Sequence, residues 1–376
     1  MNTSEVKRNI LLNPGPGTTT DTVKYAQVVP DICPREREFG DLMEEIGRDL
    51  VRVVHGDPSE YASVLFCGSG TINIDACVSS LVPQDRKVLI VSNGVYSKRA
   101  AEACMAYGIE YMTLDLPTTC PADPSLIQNA LEAHPEVAVV YSCHHETVSG
   151  ILNPMREIGV LAHRYGAIHV VDTTSTYAMI PIDVNTDQVD VLMASAQKGL
   201  MAMTGLSFVI GKTSLFEQSR NYPVRSFYTN IYMQYSSMKK KKEMRFTPPV
   251  QTVYALRQAL IEYWREGEAP KWDRHQRVWR AICEGVDVLG FRTPIQREDQ
   301  SRLVLSIDYP KDPHWDFTQI HDYCFERGFT IYPGNISGNP AFRLCAYGAI
   351  DEADIHEFFR VFKAALDHFG VSVPVH

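Results

Sequence analysis

The chain has 376 residues, 45% hydrophobic and 22% charged, with 36 Lys and Arg against 45 Asp and Glu and a formal net charge of −9. That length exceeds one ordinary core, so a large and a smaller domain are expected, and the hydrophobic share excludes global disorder. The acidic balance excludes nucleic acid as the main partner, because phosphate backbones are bound by clustered Lys and Arg.

The N-terminal stretch MNTSEVKRNILLNPGPG has an apolar run of only three residues, Ile10 to Leu12. This is too short for a signal peptide or a membrane span, so a cytoplasmic protein without a membrane partner is expected. From Tyr61 to Ile210, short apolar, β-branched runs alternate with amphipathic stretches. The runs are YASVLF (61–66), KVLIV (87–91), EYMTL (110–114), VAVVY (137–141), IHVV (168–171), DVLMAS (190–195) and LSFVI (206–210). Several are apolar on both faces, which predicts the buried strands of a mostly parallel sheet in an α/β layout. Between two of them, Met155, Ile158, Leu161, Ala162 and Tyr165 recur at helical spacing and Gly166 supplies a stop, as in a crossover helix.

Further on, Lys239 to Lys242 form a basic run that reads as a solvated loop, or else as an anion-attracting rim near a subunit contact. After Thr247, PPVQTVYALRQALIEYWREG predicts a long helix with Pro248 and Pro249 at its start, joining the domains. The remainder carries strand signals at LVLSI (303–307), FTIY (329–332) and FRLCA (342–346). Its last helix lines up Ile355, Phe358, Phe359, Phe362, Leu366 and Phe369 on one face, as in a smaller α/β domain. The nine cysteines form no CxxC pair and no regular spacing, so they read as reduced thiols rather than a disulfide framework or a zinc site.

Three segments carry chemistry. Gly68-Ser69-Gly70-Thr71 follows one strand and opens a helical stretch, where free amides, the helix dipole and two hydroxyls converge on an anion. Asp172 stands at the carboxyl edge of the sheet after IHVV, where α/β ligands bind. Lys198 lies among small residues in Ala194-Ser195-Ala196-Gln197-Lys198-Gly199, and partial desolvation there favours the neutral amine needed to form an imine. Taken singly, these read as a plain turn, a helix cap and a surface lysine. Together at one sheet edge they meet the needs of pyridoxal 5'-phosphate: an anion cradle, a carboxylate that keeps the pyridine nitrogen protonated, and a lysine for the aldehyde. Cys143-His144-His145-Glu146 is metal-like at first sight. Adjacent histidines after a strand point to opposite sides and no HExxH spacing exists, so no metal is expected. Cys324 and Cys345 fall in or beside apolar elements and read as packing residues.

The segments LLNPGPGTTT, GSGT, SNGVYSKRAAE, HHETVSGILNP, VVDTTSTYAMIPID, SAQKG, RFTPPVQT and FTIYPGNISGNPAFRLCAYG occur in this order over nearly the whole chain. In them the sequence resembles the class V branch of fold-type I pyridoxal phosphate aminotransferases, and within it the enzymes that act on a phosphonate-bearing amine. The resemblance implies an N-terminal arm (1–15), a large cofactor domain (16–255) and a small C-terminal domain (256–376). It implies a homodimer with a shared site, a primary amine as donor and a 2-oxo acid, pyruvate, as acceptor. Carried over by position, Ser69, Gly70, Thr71 and Gln197 look like phosphate contacts, and Thr247 like one given by the second subunit. Tyr96 falls where an aromatic ring stacks on the pyridine, and Thr147 near the ring hydroxyl. Asp172 matches the partner of the pyridine nitrogen, Lys198 the cofactor lysine, and Arg343 the grip on the substrate's anionic group, which suits a planar guanidinium. In VVPDICPREREFG, Arg35 and Arg37 depart from the aromatic-then-acids pattern of the phosphonate enzymes. They read as further substrate contacts or as solvent-facing partners of Glu36 and Glu38. An alanine–glyoxylate or serine type of class V enzyme, and a cofactor-binding protein without turnover, stay open as alternatives.

Overall fold

The computed structural model describes residues 6–336 and 338–375. A seven-stranded sheet forms from β1 (Tyr61–Cys67), β2 (Lys87–Ser92), β3 (Tyr111–Asp115), β4 (Val137–Cys143), β5 (Ile168–Asp172), β6 (Val191–Ser195) and β7 (Leu206–Lys212). These are the seven apolar runs of the sequence. Their spatial order is β1-β7-β6-β5-β4-β2-β3, and only β7 runs against its neighbours. Successive residues of a strand face opposite sides, and here both sides are covered except at the edge strand β3, where no residue is fully buried. Leu65, Leu192 and Phe208 pack with the helices Arg37–Arg52 and Val250–Glu266, whereas Val64, Met193 and Val209 pack with Thr71–Leu81 and Ile231–Lys241. A strand buried on both faces has no polar alternation, which is why these runs read as continuous apolar segments.

The C-terminal part builds an antiparallel sheet from β8 (Val304–Asp308), β9 (Tyr332–Ile336) and β10 (Asn339–Cys345), with β10 in the middle. The helices Glu268–Val288, Phe317–Glu326 and Glu352–Phe369 close a separate core over it, in which Phe342, Phe358 and Phe362 are buried. Ile10 and Leu12 enter this same core, because Ile10–Leu11 pairs in parallel with Phe329–Thr330.

Two readings need correction. The run 329–332 is not one strand: Phe329–Thr330 pairs with the N-terminal segment, the chain changes partner at buried Ile331, and Tyr332 pairs with Arg343. A change of partner leaves no mark in an unbroken apolar run. The Lys239–Lys242 run is not a loop either. It is the last turn of the helix Ile231–Lys241 with Lys242 as a left-handed cap, where cations oppose the negative helix end. Lys239 pairs with Glu217, and Lys242 with Asp41 and Glu44.

The long helix begins at Val250 directly after Pro248 and Pro249. It ends at Gly267, whose φ of +85° turns the chain into the 21-residue helix Glu268–Val288. Among the described residues no helix is long and apolar enough to cross a membrane.

Candidate active site

The parallel strands end on one edge, and the residues that follow them meet there. Ser69, Gly70, Thr71, Tyr96, Thr147, Asp172, Gln197 and Lys198 line one cavity of about 160 Å³. A larger cavity of about 320 Å³, between the helix Arg37–Arg52 and β1, contains none of them.

The turn after β1 is pinned from β7: the Gly68 amide donates to the Gly205 carbonyl at 3.0 Å, and the Ser207 hydroxyl donates to the Gly68 carbonyl at 3.0 Å. Asn73 ties the following helix to β6 by donating to the Ala194 carbonyl at 2.8 Å. At Gly70 a Cβ would lie 3.1 Å from Thr174 Cγ2, so a larger residue would crowd the loop that follows Asp172. The start of the helix Thr71–Leu81, where the Ile72 and Asn73 amides donate to the Ser69 and Gly70 carbonyls, thus turns the positive end of its dipole toward the cavity.

Lys198 follows β6 and is half-buried, with its side chain lining the cavity. Burial pushes its amine below the ordinary value, with Asp172 acting in the opposite sense. Gly15 comes so close that a Cβ there would lie 3.0 Å from Lys198 Cε, and its φ of +124° further excludes side chains. Asp172 closes β5; its Oδ1 accepts from the Thr174 amide at 2.9 Å, and among the described residues its Oδ2 accepts no hydrogen bond. The buried Ser195 Oγ and Gln197 Oε1 have no partner although both residues line the cavity. Buried polar atoms are nearly always satisfied, so these two mark space for a polar ligand.

The residues after β4 divide their tasks. His144 shares a hydrogen bond with the Thr176 hydroxyl, and His145 bridges the hydroxyls of Ser175 and Ser301, each at 3.0 Å. Burial pushes His144 down to about 4 and His145 well below its usual range, so both imidazoles are neutral at physiological pH. Glu146 accepts from the amides of Tyr96 at 3.2 Å and Ser97 at 2.9 Å, capping the helix Val95–Ala106 from below. Gly94 permits this approach: a Cβ there would meet Glu146 Oε2. The three side chains therefore point to three separate sets of partners. No group of three or more His, Cys, Asp or Glu among the described residues could hold a metal.

The Tyr96 ring lies 5.6 Å from Lys198 Nζ on one side and 4.6 Å from the Arg99 guanidinium. Arg343, on β10, comes to the edge of the site from the second sheet: it does not line the cavity but bonds to Thr147, which does. It is only 7% exposed, and it donates to the carbonyls of Thr147 at 3.4 Å and Pro333 at 3.0 Å. Its guanidinium lies over Tyr332, its Nε has no partner, and among the described residues no carboxylate pairs with it. Cys345 beside it is pushed up to about 12 by burial and stays a thiol; Cys324 is likewise buried in the smaller core.

Besides Arg343, three expected residues do not line this cavity in their own chain. Thr247 is exposed, and its carbonyl accepts from the Cys67 thiol. Arg35 pairs with Glu243 at 2.8 Å and donates to the Met244 carbonyl at 2.7 Å. Arg37 is 94% exposed beside Asp41. Sequence reasoning missed Glu146 as the cap under Tyr96, and Ser195, Thr174 and Arg99 as lining residues. Arg99 was findable: it stands one helical turn after Tyr96, on the same face.

The sequence profile of the family described as aminotransferase class-V matches residues 22–350. The chain is 33% identical over 365 residues to the 2-aminoethylphosphonate–pyruvate transaminase 1 of Cupriavidus pinatubonensis, covering 97% of this chain and 96% of that one. It is 35% identical over 361 residues to the 2-aminoethylphosphonate–pyruvate transaminase of Salmonella typhimurium, covering 95% and 97%. Among solved structures, the alanine–glyoxylate aminotransferase of Nostoc superposes with a TM-score of 0.88 at 23% identity over 97% of each chain. This likeness shows the fold, that of fold-type I transferases.

Proposed function

The chain belongs to the class-V aminotransferase family, and from that membership we propose that it moves the amino group of 2-aminoethylphosphonate to pyruvate, giving phosphonoacetaldehyde and L-alanine. The observation that carries the substrate reading is Arg343, a buried guanidinium without a carboxylate, with an unpartnered Nε, beside the cavity that contains Lys198. A charge buried this way is costly until an anion meets it, and a fork of N–H donors suits the phosphonate of one substrate and the carboxylate of the other.

Pyridoxal 5'-phosphate, when bound, supplies an aldehyde for the amine and a ring that takes up an electron pair. The cavity fits it. Ser69, Gly70, Thr71 and Gln197 would hold its phosphate at the helix start, Tyr96 would cover one ring face, and Thr147 would stand at the ring hydroxyl. Asp172 would offer its free Oδ2 to the pyridine N–H, which would raise that nitrogen's pKa and keep it protonated. Lys198, whose amine burial pushes below its ordinary value, would take the proton from the carbon that bears the amino nitrogen and return it on the cofactor side. Arg343 orients both substrates by their anionic ends.

A homodimer completes this reading: exposed Thr247 would serve the phosphate of the neighbouring subunit. Arg35 and Arg37 could touch substrate only in the same way, across a subunit boundary. The nine free thiols favour a reducing compartment, so the cytoplasm is the expected location.

The test is a donor screen read by alanine formation from pyruvate, with Lys198→Ala as its control. The variant should lose both the visible absorbance of bound cofactor and all turnover, and a variant that kept both would refute the site. Faster turnover with serine or alanine and glyoxylate than with 2-aminoethylphosphonate and pyruvate would refute the substrate.

A further inference from the structure

We infer that Arg99 is the cationic arm of the anion cradle and holds the cofactor's phosphate together with Thr71. This rests on the reading of the cavity as a pyridoxal phosphate site. Arg99 and Tyr96 are three residues apart on the helix Val95–Ala106 and so share one face. The guanidinium lies 4.6 Å from the Tyr96 ring centre, its Nη1 donates to Thr71 Oγ1 at 3.3 Å, and the side chain lines the cavity.

A guanidinium has five N–H donors, and one long bond to a hydroxyl leaves most of them unused. No carboxylate pairs with Arg99 among the described residues, whereas Arg274, Arg277 and Arg297 each have one. Its one hydrogen-bond partner is the first residue of the helix Thr71–Leu81, whose end already carries positive partial charge. Two positive elements converging on one point repel, and an anion between them turns that repulsion into attraction. The unpartnered hydroxyl of Ser195, buried in the same cavity, is a separate sign that a polar ligand belongs there. Stacked on Tyr96, the guanidinium is also held in place before any ligand arrives, which reduces the ordering cost of binding.

The decisive comparison is between pyridoxal 5'-phosphate and pyridoxal, which share the ring and aldehyde and differ in the phosphate. Wild-type, Arg99→Gln and Arg99→Lys proteins would be stripped with hydroxylamine and titrated with each compound by visible absorbance and protein fluorescence. Losing charge-assisted hydrogen bonds should weaken pyridoxal 5'-phosphate binding by Arg99→Gln roughly 10- to 100-fold, with Arg99→Lys intermediate. Pyridoxal binding should stay within about twofold for all three proteins, and inorganic phosphate should compete less with the Gln variant. Equal weakening toward both compounds would overturn the inference, because Arg99 would then act only as a support for Tyr96. So would unchanged cofactor affinity with a raised KM for 2-aminoethylphosphonate, which would move Arg99 to the substrate. A wild-type protein that takes up neither compound would instead overturn the cofactor reading itself, and this inference with it.

Discussion

Replacing Lys271 by methionine should stabilise the protein, and should do so in a pH-dependent way that no packing change can imitate. Lys271 is 1% exposed on the helix Glu268–Val288, its Nζ has no hydrogen-bond partner, and it lies 5.8 Å from the Tyr263 ring. Burial is the main cause that pushes its amine from 10.5 down to about 7, with Arg274 adding to the effect and Glu266 and Glu262 opposing it. Between pH 7 and 10.5 the unfolded chain carries one more proton at this position than the folded one, so wild-type stability rises with pH across that window. The slope is about 1.4 kcal/mol per unit. At and below pH 7 the lysine therefore costs roughly 4–5 kcal/mol relative to an unshifted group, and at pH 9.5 about 1.4 kcal/mol. Local relaxation and water penetration bring the measured cost below those values. Methionine keeps the length and removes the charge, so the stability gain of Lys271→Met should shrink by up to about 3 kcal/mol between pH 7 and 9.5. Urea unfolding at both pH values, at fixed protein and cofactor concentration, measures this. A gain that is the same at both pH values would refute the assignment of the buried amine.

Arg343→Gln should raise KM for both 2-aminoethylphosphonate and pyruvate by roughly 10- to 100-fold, the worth of one charge-assisted contact, and steady-state kinetics with each substrate varied would check it. Unchanged values for both would remove Arg343 from the substrate. Arg35→Ala and Arg37→Ala remove exposed pairs and should change unfolding free energy by less than about 1 kcal/mol. A KM increase in either would show that the residue serves the neighbouring subunit. Glu146→Ala leaves the amides of Tyr96 and Ser97 without their acceptor, at about 1–3 kcal/mol, whereas Glu146→Gln keeps a carbonyl for one of them and should retain more cofactor affinity. Equal behaviour of the two variants would remove Glu146 as the support of Tyr96.

Much of this architecture was legible because burial on both faces writes itself as apolar runs, and the seven runs became the seven strands. That the candidate cofactor residues share one cavity was legible for a related reason. Ser69 to Thr71, Asp172 and Lys198 each follow directly on such a run, and parallel strands deliver their following residues to one edge. What stayed hidden depends on partners distant in sequence. The break at Ile331 depends on pairing with Ile10–Leu11, and the partners of the basic run are acids far off in sequence, Glu217 for Lys239 and Asp41 and Glu44 for Lys242. Glu146 looked like part of a metal motif because nothing local shows that its carboxylate is committed to two amides 50 residues upstream.

Lys198 and Arg343 have in common an unmet need. Folding half-buries one amine and buries one guanidinium without a carboxylate paired to either, and an interior does not ordinarily keep cations on those terms. For Lys198 burial pushes the amine below its ordinary value, which favours the neutral form that can react. Arginine cannot take that route, since its guanidinium stays protonated in proteins. The charge of Arg343 therefore remains, held only by two carbonyls and a ring face. An anion entering beside Lys198 would relieve it, so the free energy spent in enclosing Arg343 returns as affinity for substrates with an anionic end. This argues that the anionic end, more than the carbon skeleton, decides which amines and oxo acids the site accepts.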